Sequence, residues 1–255
     1  MFADERYHDI LELLQKNGSV TVAELMELFG ASPETVRRDL LYLESCRLLK
    51  RVHGGAMPVK KQKEVYKLSQ RFKENAQEKS ELSETAASLV CENDVIALDS
   101  GSTSAAFVSA LKEKFHHLTV VTHSMHVFHA LAETEFKTIL LGGEYLKDEG
   151  AFYGYMTLDM IKNVHVSKAF LCPDAVSLTY GFFDQVHEFV PIQRALLEIC
   201  DKAVFLADSS KFESTSVLKI CDLSPEFIIV TDSKLSDEIY NMYQEREIPI
   251  LKKES

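Results

Sequence analysis

The sequence contains few cysteines and no long apolar run, and each absence excludes a class of protein. Its five cysteines among 255 residues are widely separated, and no two of them form a C-x-x-C pair. An odd and scattered set argues against a disulfide framework or a zinc site and indicates reduced thiols. No window approaches the ~18 consecutive apolar residues of a membrane-spanning helix, and no basic-then-apolar leader opens the chain. We therefore expect a soluble, cytoplasmic protein without membrane association.

Metal ligands are also sparse, apart from one group of histidines. His123, His126 and His129 recur every third residue, and His116 and His117 precede them. A spacing of three drifts around a helix, and no carboxylate stands nearby to complete a site. We expect no metal and no cofactor.

Positive charge is scarce except in one segment. The chain has 28 Lys and Arg against 39 Asp and Glu, a formal net charge of -11. Residues 37–63 hold eight basic and two acidic residues, so this segment is at +6 and the remainder at -17. A compact basic face on an acidic body suits a protein that contacts nucleic-acid phosphates through one small module.

The start of this basic segment predicts a helix with one apolar and one polar face. Ser32 can cap the helix, and Pro33 fits its first turn because the missing N–H would have no partner there. The apolar face consists of Val36, Leu40 and Leu43. The opposite face exposes Thr35, Arg37, Arg38 and Tyr42.

The flanking residues complete a helix-turn-helix with a basic wing. Thr21 and Glu24 form a capping box for a preceding helix, which ends at Gly30 and leaves a tight turn before Ser32. A Gly-Gly pair at 54–55 follows a second basic stretch and indicates a wing. We predict DNA contacts from both parts, with Arg37 or Arg38 the best candidate for guanine, and the full set is Ser32, Thr35, Arg37, Arg38, Lys50, Arg51 and His53.

The rest of the chain predicts a larger α/β domain. We assign residues 1–57 to the DNA-binding domain, 58–77 to a linker that is partly helical, and 78–255 to an effector domain. Short apolar runs alternate with helical patterns at 95–98, 118–121, 138–141, 168–171, 203–207 and 227–230. This alternation indicates a mainly parallel sheet covered by helices.

Polar residues follow several of these predicted strands, where ligands bind in sheets of this kind. The loop after the first run combines hydroxyls and a glycine at a predicted helix N-terminus, which suits a phosphate. Lys211 follows a later strand and can reach the same phosphate, with Asp208 orienting it. Asp184, Glu188 and Arg194 can meet the hydroxyls of a small polyol. The predicted effector residues are Ser100, Gly101, Ser102, Thr103, Ser104, His123, Gly142, Asp184, Glu188, Arg194 and Lys211.

Several motifs together resemble the DeoR family of bacterial transcription regulators over almost the full length. They are the helix at 32–43, the wing at 51–56, the Asp-Ser-Gly-Ser-Thr loop at 99–103, Val-Thr-His-Ser at 121–124, Leu-Gly-Gly at 141–143 and Ala-Asp-Ser-Ser-Lys-Phe at 207–212. The resemblance implies a winged-helix repressor of a carbohydrate operon that binds operator DNA as a homo-oligomer, a dimer or a tetramer. It also implies an effector domain that looks like ribose-5-phosphate isomerase and senses a phosphorylated sugar.

The chain departs from both family patterns at informative positions. His123 stands where the regulators usually carry Asn, and Ser102 and Ser104 flank Thr103 where threonines are commoner. The isomerase pattern implies a catalytic Glu near Gln193 and a catalytic Lys near Asp184, and neither is present. Glutamine cannot act as a carboxylate base, so the predicted site binds without catalysing.

Two alternatives stay open at this point. One is a sugar-phosphate isomerase-like enzyme that carries a DNA-binding module, since Asp174 and Lys211 match isomerase positions. The other is a regulator with a vestigial pocket that responds to a protein partner.

Overall fold

The computed structural model describes residues 3–17, 19–45, 48–52, 54–58 and 68–253. The chain divides into two compact units, Met1–Glu64 and Val65–Ser255. This division differs from the linker predicted at 58–77, because residues 68–77 form part of the second unit. Among the described residues, no helix combines the length and apolarity needed to cross a membrane.

The first unit consists of three helices and a small antiparallel sheet. Its elements are α1 (Ala3–Asn17), β1 (Val20–Thr21), α2 (Val22–Phe29), α3 (Pro33–Ser45), β2 (Leu49–Val52) and β3 (Gly55–Pro58). The sheet has the order β1-β3-β2. Thr21 and Glu24 form the predicted capping box, and Gly30 ends α2 in the left-handed conformation. The predicted helix-turn-helix and wing are therefore confirmed.

Apolar residues from all three helices and the sheet form the core of this unit. Ile10, Leu25 and Val36 are fully buried, with Leu40 and Leu43 beside them. Gly55 permits the wing strands to pair, because a Cβ atom at this position would lie 2.1 Å from the carbonyl oxygen of Val20.

The second unit contains the remaining helices and strands. Its helices are α4 (Leu68–Arg71), α5 (Ala76–Ala87), α6 (Ser102–Lys114), α7 (Met125–Leu131), α8 (Tyr155–Ile161), α9 (Phe189–Glu198) and α10 (Asp237–Gln244), with a 3-10 turn at Ser209–Lys211. Its strands are β4 (Val95–Leu98), β5 (Thr119–Thr122), β6 (Lys137–Leu140), β7 (Glu144–Leu146), β8 (Ala151–Tyr153), β9 (Val166–Leu171), β10 (Ala175–Ser177), β11 (Gly181–Asp184), β12 (Cys200–Leu206), β13 (Leu218–Cys221), β14 (Ile228–Thr231) and β15 (Ile250–Lys252).

Seven of these strands form one parallel sheet in the order β15-β14-β12-β9-β4-β5-β6. Each of the six apolar runs identified in the sequence lies in or overlaps one of them, so the predicted parallel α/β domain is confirmed. A smaller sheet, β10-β11-β13, and the hairpin β7-β8 complete the unit.

Alternating residues of the central strands supply two separate cores. Leu98 and Phe170 face the layer of α5, α6 and α7, where Phe107 lies 4.6 Å from Phe170 between ring centroids. Ala97 and Leu171 face the opposite layer, which includes α8, α9 and α10. Because both faces of the sheet are covered, its carboxyl edge is left as the natural place for a ligand.

Candidate functional site

The carboxyl ends of four adjacent strands bring together polar residues that are far apart in the sequence. Asp99 follows β4, His123 follows β5, Cys172 follows β9 and Asp208 follows β12. These strands are neighbours in the sheet, so the loops that follow them form one edge.

Asp99 is the centre of a buried hydrogen-bond network at this edge. Its carboxylate accepts from the backbone N–H groups of Ser100 at 2.7 Å and Cys172 at 3.1 Å. The side chains of His123 and Gln193 also contact it, at 3.1 and 3.0 Å. These four partners fix the side chain of Asp99 and hold the loop that begins at Ser100.

His123 supports Asp99 and does not line an open pocket. Its side chain is fully buried, and its Nδ1 atom lies 2.8 Å from the carbonyl oxygen of Phe152. Its Nε2 atom lies 3.1 Å from the carboxylate of Asp99, so His123 connects the loop after β4 to β8. The direct effector contact predicted for His123 stays a prediction, and in this structure the side chain contacts Asp99 and Phe152.

Gln193 lies where two carboxylates approach each other. Its Nε2 group donates to Asp99 at 3.0 Å and to Asp184 at 2.7 Å. The Oε1 atom of the same amide is buried without a hydrogen-bond partner among the described residues. Burial, with the nearby charges of Asp174 and Asp99, raises the pKa of Asp184 to about 8.

The loop after β4 presents polar groups at the N-terminus of α6. Gly101 precedes the helix with φ of 134°, and no side chain caps the first turn. Ser104 contacts the thiol of Cys172 at 3.1 Å. Ser102 and Thr103 are nearly buried, and among the described residues neither hydroxyl has a hydrogen-bond partner. These N–H and O–H groups suit a phosphate oxygen.

Lys211 enters the site from the turn after β12. Its ammonium group lies 3.3 Å from Asp174, and both side chains are largely buried. The predicted orientation of Lys211 by Asp208 is wrong, because Asp208 accepts instead from Ser210 and Asn75. Asp174 therefore holds the ammonium group.

The sequence missed a segment that packs beside this turn. We call residues 68–79 the strap, because they connect two sides of the site. Asn75 donates to Asp208 at 3.1 Å and to Ser210 at 3.2 Å. Arg71 pairs with Glu149, which precedes β8. Arg71, Asn75 and Lys79 recur every fourth residue, and this spacing is a sequence feature that favours a helix here. Most of the strap lies within the predicted linker at 58–77.

Other predicted effector residues do not converge on Lys211. Arg194 donates to the carbonyl oxygens of Lys219 and Ile220, so it anchors β13 and is not available for a polyol. Glu188 lies at the start of α9, and its charge acts on Tyr153. Gly142 accepts from Thr157 through its carbonyl oxygen at 2.9 Å.

A cavity of about 330 Å³ lies beside the Asp208 turn. Its lining comprises Asn75, Glu78, Asp208, Ser209, Ser210, Lys234, Leu235, Ser236 and Ile239. None of the predicted effector residues lines it. Among the described residues, no cluster of His, Cys, Asp and Glu could hold a metal ion.

The helix α3 in the first unit displays the predicted polar face. Ser32 accepts from the backbone N–H of Thr35 at 3.2 Å, which is the predicted cap. Arg37 and Arg38 are exposed. Asp39, on the buried side, receives two hydrogen bonds from Arg6 at 2.7 and 3.0 Å, so this ion pair fixes α3 to α1.

The wing residues differ in how free their charges are. Lys50 is exposed on β2. Arg51 is tied to Glu44 through its backbone N–H at 2.9 Å and its Nε atom at 2.7 Å. His53 lies outside the described residues, so its predicted DNA contact stays a prediction.

Two family models match this chain. The model of the DeoR-like helix-turn-helix domain matches residues 6–62, and that of the DeoR C-terminal sensor domain matches residues 74–233, more than half of the chain. The chain belongs to the DeoR family. As a DeoR-family protein it is a DNA-binding transcriptional regulator, whose helix-turn-helix domain binds operator DNA and whose sensor domain binds an effector.

Similar full-length relatives in the DeoR family include an activator and a repressor. The HTH-type transcriptional regulator GolR of Listeria innocua serovar 6a is 30% identical over 98% of this chain and 98% of its own length. The L-fucose operon activator of Haemophilus influenzae is 33% identical over 94% and 96%. The lactose phosphotransferase system repressor of Lactococcus lactis subsp. lactis is 32% identical over 91% and 92%.

Among solved structures, ribose 5-phosphate isomerase A from Methanocaldococcus jannaschii is similar with a TM-score of 0.40 and 20% identity, covering 54% of this chain and 55% of that one. The DeoR regulators are not enzymatic, and this sets the isomerase alternative aside. Gln193 and Asp184 agree with that conclusion, since neither can replace the implied catalytic Glu and Lys.

Proposed function

We propose that this DeoR-family regulator represses an operon for carbohydrate uptake or catabolism and that a phosphorylated sugar, bound in the second unit, relieves repression. The observation that carries the proposal is the largely buried ion pair of Lys211 with Asp174, on the loops that follow β12 and β9, two neighbouring strands of the parallel sheet. Two relatives, the lactose phosphotransferase system repressor and the L-fucose operon activator, support a carbohydrate operon.

The phosphate would bind between Lys211 and the N-terminus of α6. Helix N-termini attract anions through free N–H groups and the helix dipole. Ser102 and Thr103 add hydroxyl donors, and Lys211 adds a positive charge. Its bond to Asp174 at 3.3 Å is long enough for a phosphate oxygen to compete for the ammonium group.

The sugar hydroxyls would form hydrogen bonds with buried polar groups of Gln193 and Ser100. Gln193 has an unpartnered acceptor at Oε1, and Ser100 has a buried hydroxyl without a partner among the described residues. A buried polar group left without a hydrogen bond costs about 1–3 kcal/mol. A sugar with a hydroxyl at this position is therefore favoured over one that carries only hydrogen there. Asp184 adds a carboxyl beside Gln193.

Operator DNA would bind to the polar face of α3 and to the wing. Arg37 or Arg38 is the best candidate for a guanine contact in the major groove, because its guanidinium matches two acceptors on that base. Ser32 and Thr35 lie at the N-terminus of the same helix. Lys50, Arg51 and His53 would hold the DNA backbone or the minor groove. A homo-oligomer, a dimer or a tetramer, would place several such modules on repeated operator sites.

The effector would act by favouring one arrangement of the DNA-binding modules over another. A ligand shifts such an equilibrium only by its difference in affinity for the two states. The vestigial-pocket alternative requires instead that no small phosphate alters operator affinity.

The Lys211→Ala variant tests the proposed effector site. We expect it to bind operator DNA with unchanged affinity and to lose its response to the effector, measured by fluorescence anisotropy of labelled operator. Lys168→Ala is the matched control, because Lys168 also forms a largely buried ion pair, in this case with Asp94 at 2.7 Å. Asp94 directly precedes β4, at the amino end of that strand. The Lys168→Ala variant should keep the response.

Loss of operator binding and effector response together in Lys211→Ala, with the control intact, would contradict the assignment. Loss in both variants would indicate a general loss of stability of the second unit. Circular dichroism melting of each variant separates these outcomes.

A further inference from the structure

The strap, residues 68–79, connects two sides of the proposed effector site. On one side, Asn75 bonds to Asp208 and Ser210 in the turn that carries Lys211. On the other side, Arg71 pairs with Glu149, and the ring of Phe72 meets that of His126 edge-on at 5.3 Å. The strap is therefore fastened both to the β12 turn and to the segments around α7 and β8.

Arg71 is mostly buried, but only one of the two neighbouring N–H donors on one side of its guanidinium group has a hydrogen-bond partner among the described residues. The Nη2 atom donates to one oxygen of Glu149, whereas the Nε atom is buried without a partner among the described residues. These two atoms form the guanidinium edge that binds an oxyanion through two parallel hydrogen bonds. A phosphate could fill both positions, and Glu149 fills one.

Glu149 is held in a place that is costly for a carboxylate. Burial raises its pKa, and the charges of Asp174 and Asp148 act in the same direction, while Arg71 opposes them. Arg71 is thus the favourable partner of a carboxylate that is otherwise poorly placed. An incoming anion that binds Arg71 better would release Glu149 from it.

Charge links this pair to Lys211. Asp174 interacts with Glu149 and is bonded to Lys211. Lys79 interacts electrostatically with Lys211 and Arg71. Its ammonium group also donates to the carbonyl oxygens of Arg71 at 2.5 Å and Glu74 at 2.6 Å, which fixes the backbone of the strap. Three basic side chains, those of Arg71, Lys79 and Lys211, are therefore electrostatically coupled.

We propose that Glu149 is an internal anion that occupies Arg71 in the effector-free protein, and that the phosphate of the effector displaces it. The inference rests on the proposed function, because it assigns Arg71 to the same effector site as Lys211. Since the strap is the first described part of the second unit after the DNA-binding unit, exchange of Glu149 for phosphate changes contacts at the point where the chain leaves the sensor.

Inorganic phosphate and the full-length protein provide the test, by isothermal titration calorimetry at constant ionic strength. Arg71→Ala should weaken phosphate binding about tenfold, a loss of about 1.4 kcal/mol. Arg71→Lys keeps the charge but lacks the two-donor edge, so it should give an intermediate loss while preserving the fold. Glu149→Gln should tighten binding about fivefold, because the competing charge is gone.

Asp148→Asn is the matched control for Glu149→Gln, since it removes the same charge from an adjacent, exposed residue. We expect it to leave phosphate binding within about twofold of wild type. The double variant Arg71→Ala/Glu149→Gln should bind phosphate like Arg71→Ala alone, because Glu149 competes only at Arg71.

Four results would contradict the inference, and they differ in whether the proposed effector site still holds. If Lys211→Ala abolishes phosphate binding while Arg71 and Glu149 variants bind normally, the proposed effector site stands and the role of the strap is wrong. The inference also fails if Glu149→Gln and Asp148→Asn tighten binding equally, or if the gain persists without Arg71. If neither wild-type protein nor any variant binds phosphate, the proposed function itself fails.

Discussion

Asp99 and His123 form a buried hydrogen-bonded pair that holds the loop after β4. The carboxylate of Asp99 accepts from four groups, and the two nitrogens of His123 connect it to the carbonyl oxygen of Phe152. Removing one member of a buried hydrogen-bonded pair leaves the other without a partner, which costs more than the loss of an exposed hydrogen bond.

Substitution of His123 should therefore depend on hydrogen-bonding ability more than on charge. His123→Leu removes a hydrogen-bond partner from both Asp99 and the Phe152 carbonyl, and we expect it to destabilise the protein by about 1–3 kcal/mol for each group left without a partner. His123→Asn retains an N–H donor and should cost less than half of that. Urea denaturation of both variants measures the difference. Equal losses would contradict the positioning role of His123.

Asp184 predicts a specific pH dependence. Its pKa in the folded protein is raised to about 8, whereas an unfolded Asp has a pKa of about 3.9. Between these values the folded state binds more protons than the unfolded state, so the free energy of unfolding falls as pH rises, at most by about 1.4 kcal/mol per pH unit. The raised pKa of Glu149 acts in the same direction.

Replacement of Asp184 by Asn should flatten this dependence. We expect the free energy of unfolding of Asp184→Asn, from urea denaturation between about pH 5 and pH 8, to fall less than that of wild type. The change in slope is the readout, because the absolute stability also reflects the altered bond to Gln193. Parallel pH profiles for the two proteins would show that Asp184 is already ionised across this range.

The sequence predicts residues for the proposed effector site, but it does not predict which side chains they contact. Lys211 and the Ser102-Thr103 hydroxyls were identified from their place after predicted strands. The pairing of Lys211 with Asp174, and of His123 with Asp99, depends on side-chain directions in loops that are separated by more than twenty residues, which no local pattern encodes.

At the scale of elements, the wing and α3 are joined by Glu44. Hydrogen bonds from Arg51 lower the pKa of Glu44 and hold it ionised near the proposed DNA-binding face. Glu44→Gln removes this charge and releases Arg51. We expect it to raise affinity for operator DNA about two- to fivefold at low salt, measured by fluorescence anisotropy.

Glu113→Gln makes the same charge change at an exposed position on α6 and should leave DNA affinity unchanged. If Glu44→Gln instead weakens DNA binding, the ion pair with Glu44 orients Arg51 for its DNA contact. The explanation that Glu44 lowers DNA affinity by neutralising Arg51 is then wrong.

The elements also differ in how well the sequence predicts them. The strands of the parallel sheet were found because they are apolar runs of four or more residues, buried on both faces. The strap was assigned to a linker because its order comes from long-range contacts to Asp208 and Glu149, and its composition is that of an exposed segment. Burial of Lys79 could not be read from its neighbours in sequence.

In the whole molecule, the two units differ in electrostatic character. The helix-turn-helix unit has no net charge, because its basic residues at 37–63 are balanced by acidic residues elsewhere in the unit, whereas the sensor unit carries the net charge of -11. Because both ligands, operator DNA and the effector, act on one protein, each must alter the affinity of the other by the same factor. The account therefore predicts that operator DNA weakens effector binding as much as the effector weakens operator binding.

The most direct test starts from full-length protein bound to fluorescent DNA from upstream of its own gene neighbourhood. Sugars are then added in pairs, one phosphorylated and one unphosphorylated, at constant ionic strength, and operator affinity is measured. The account predicts that one phosphorylated sugar lowers operator affinity by about five- to 150-fold, the usual range of allosteric coupling, and that its unphosphorylated partner has no effect. Operator affinity that responds to none of the phosphates, or equally to both members of a pair, would contradict the sensor assignment.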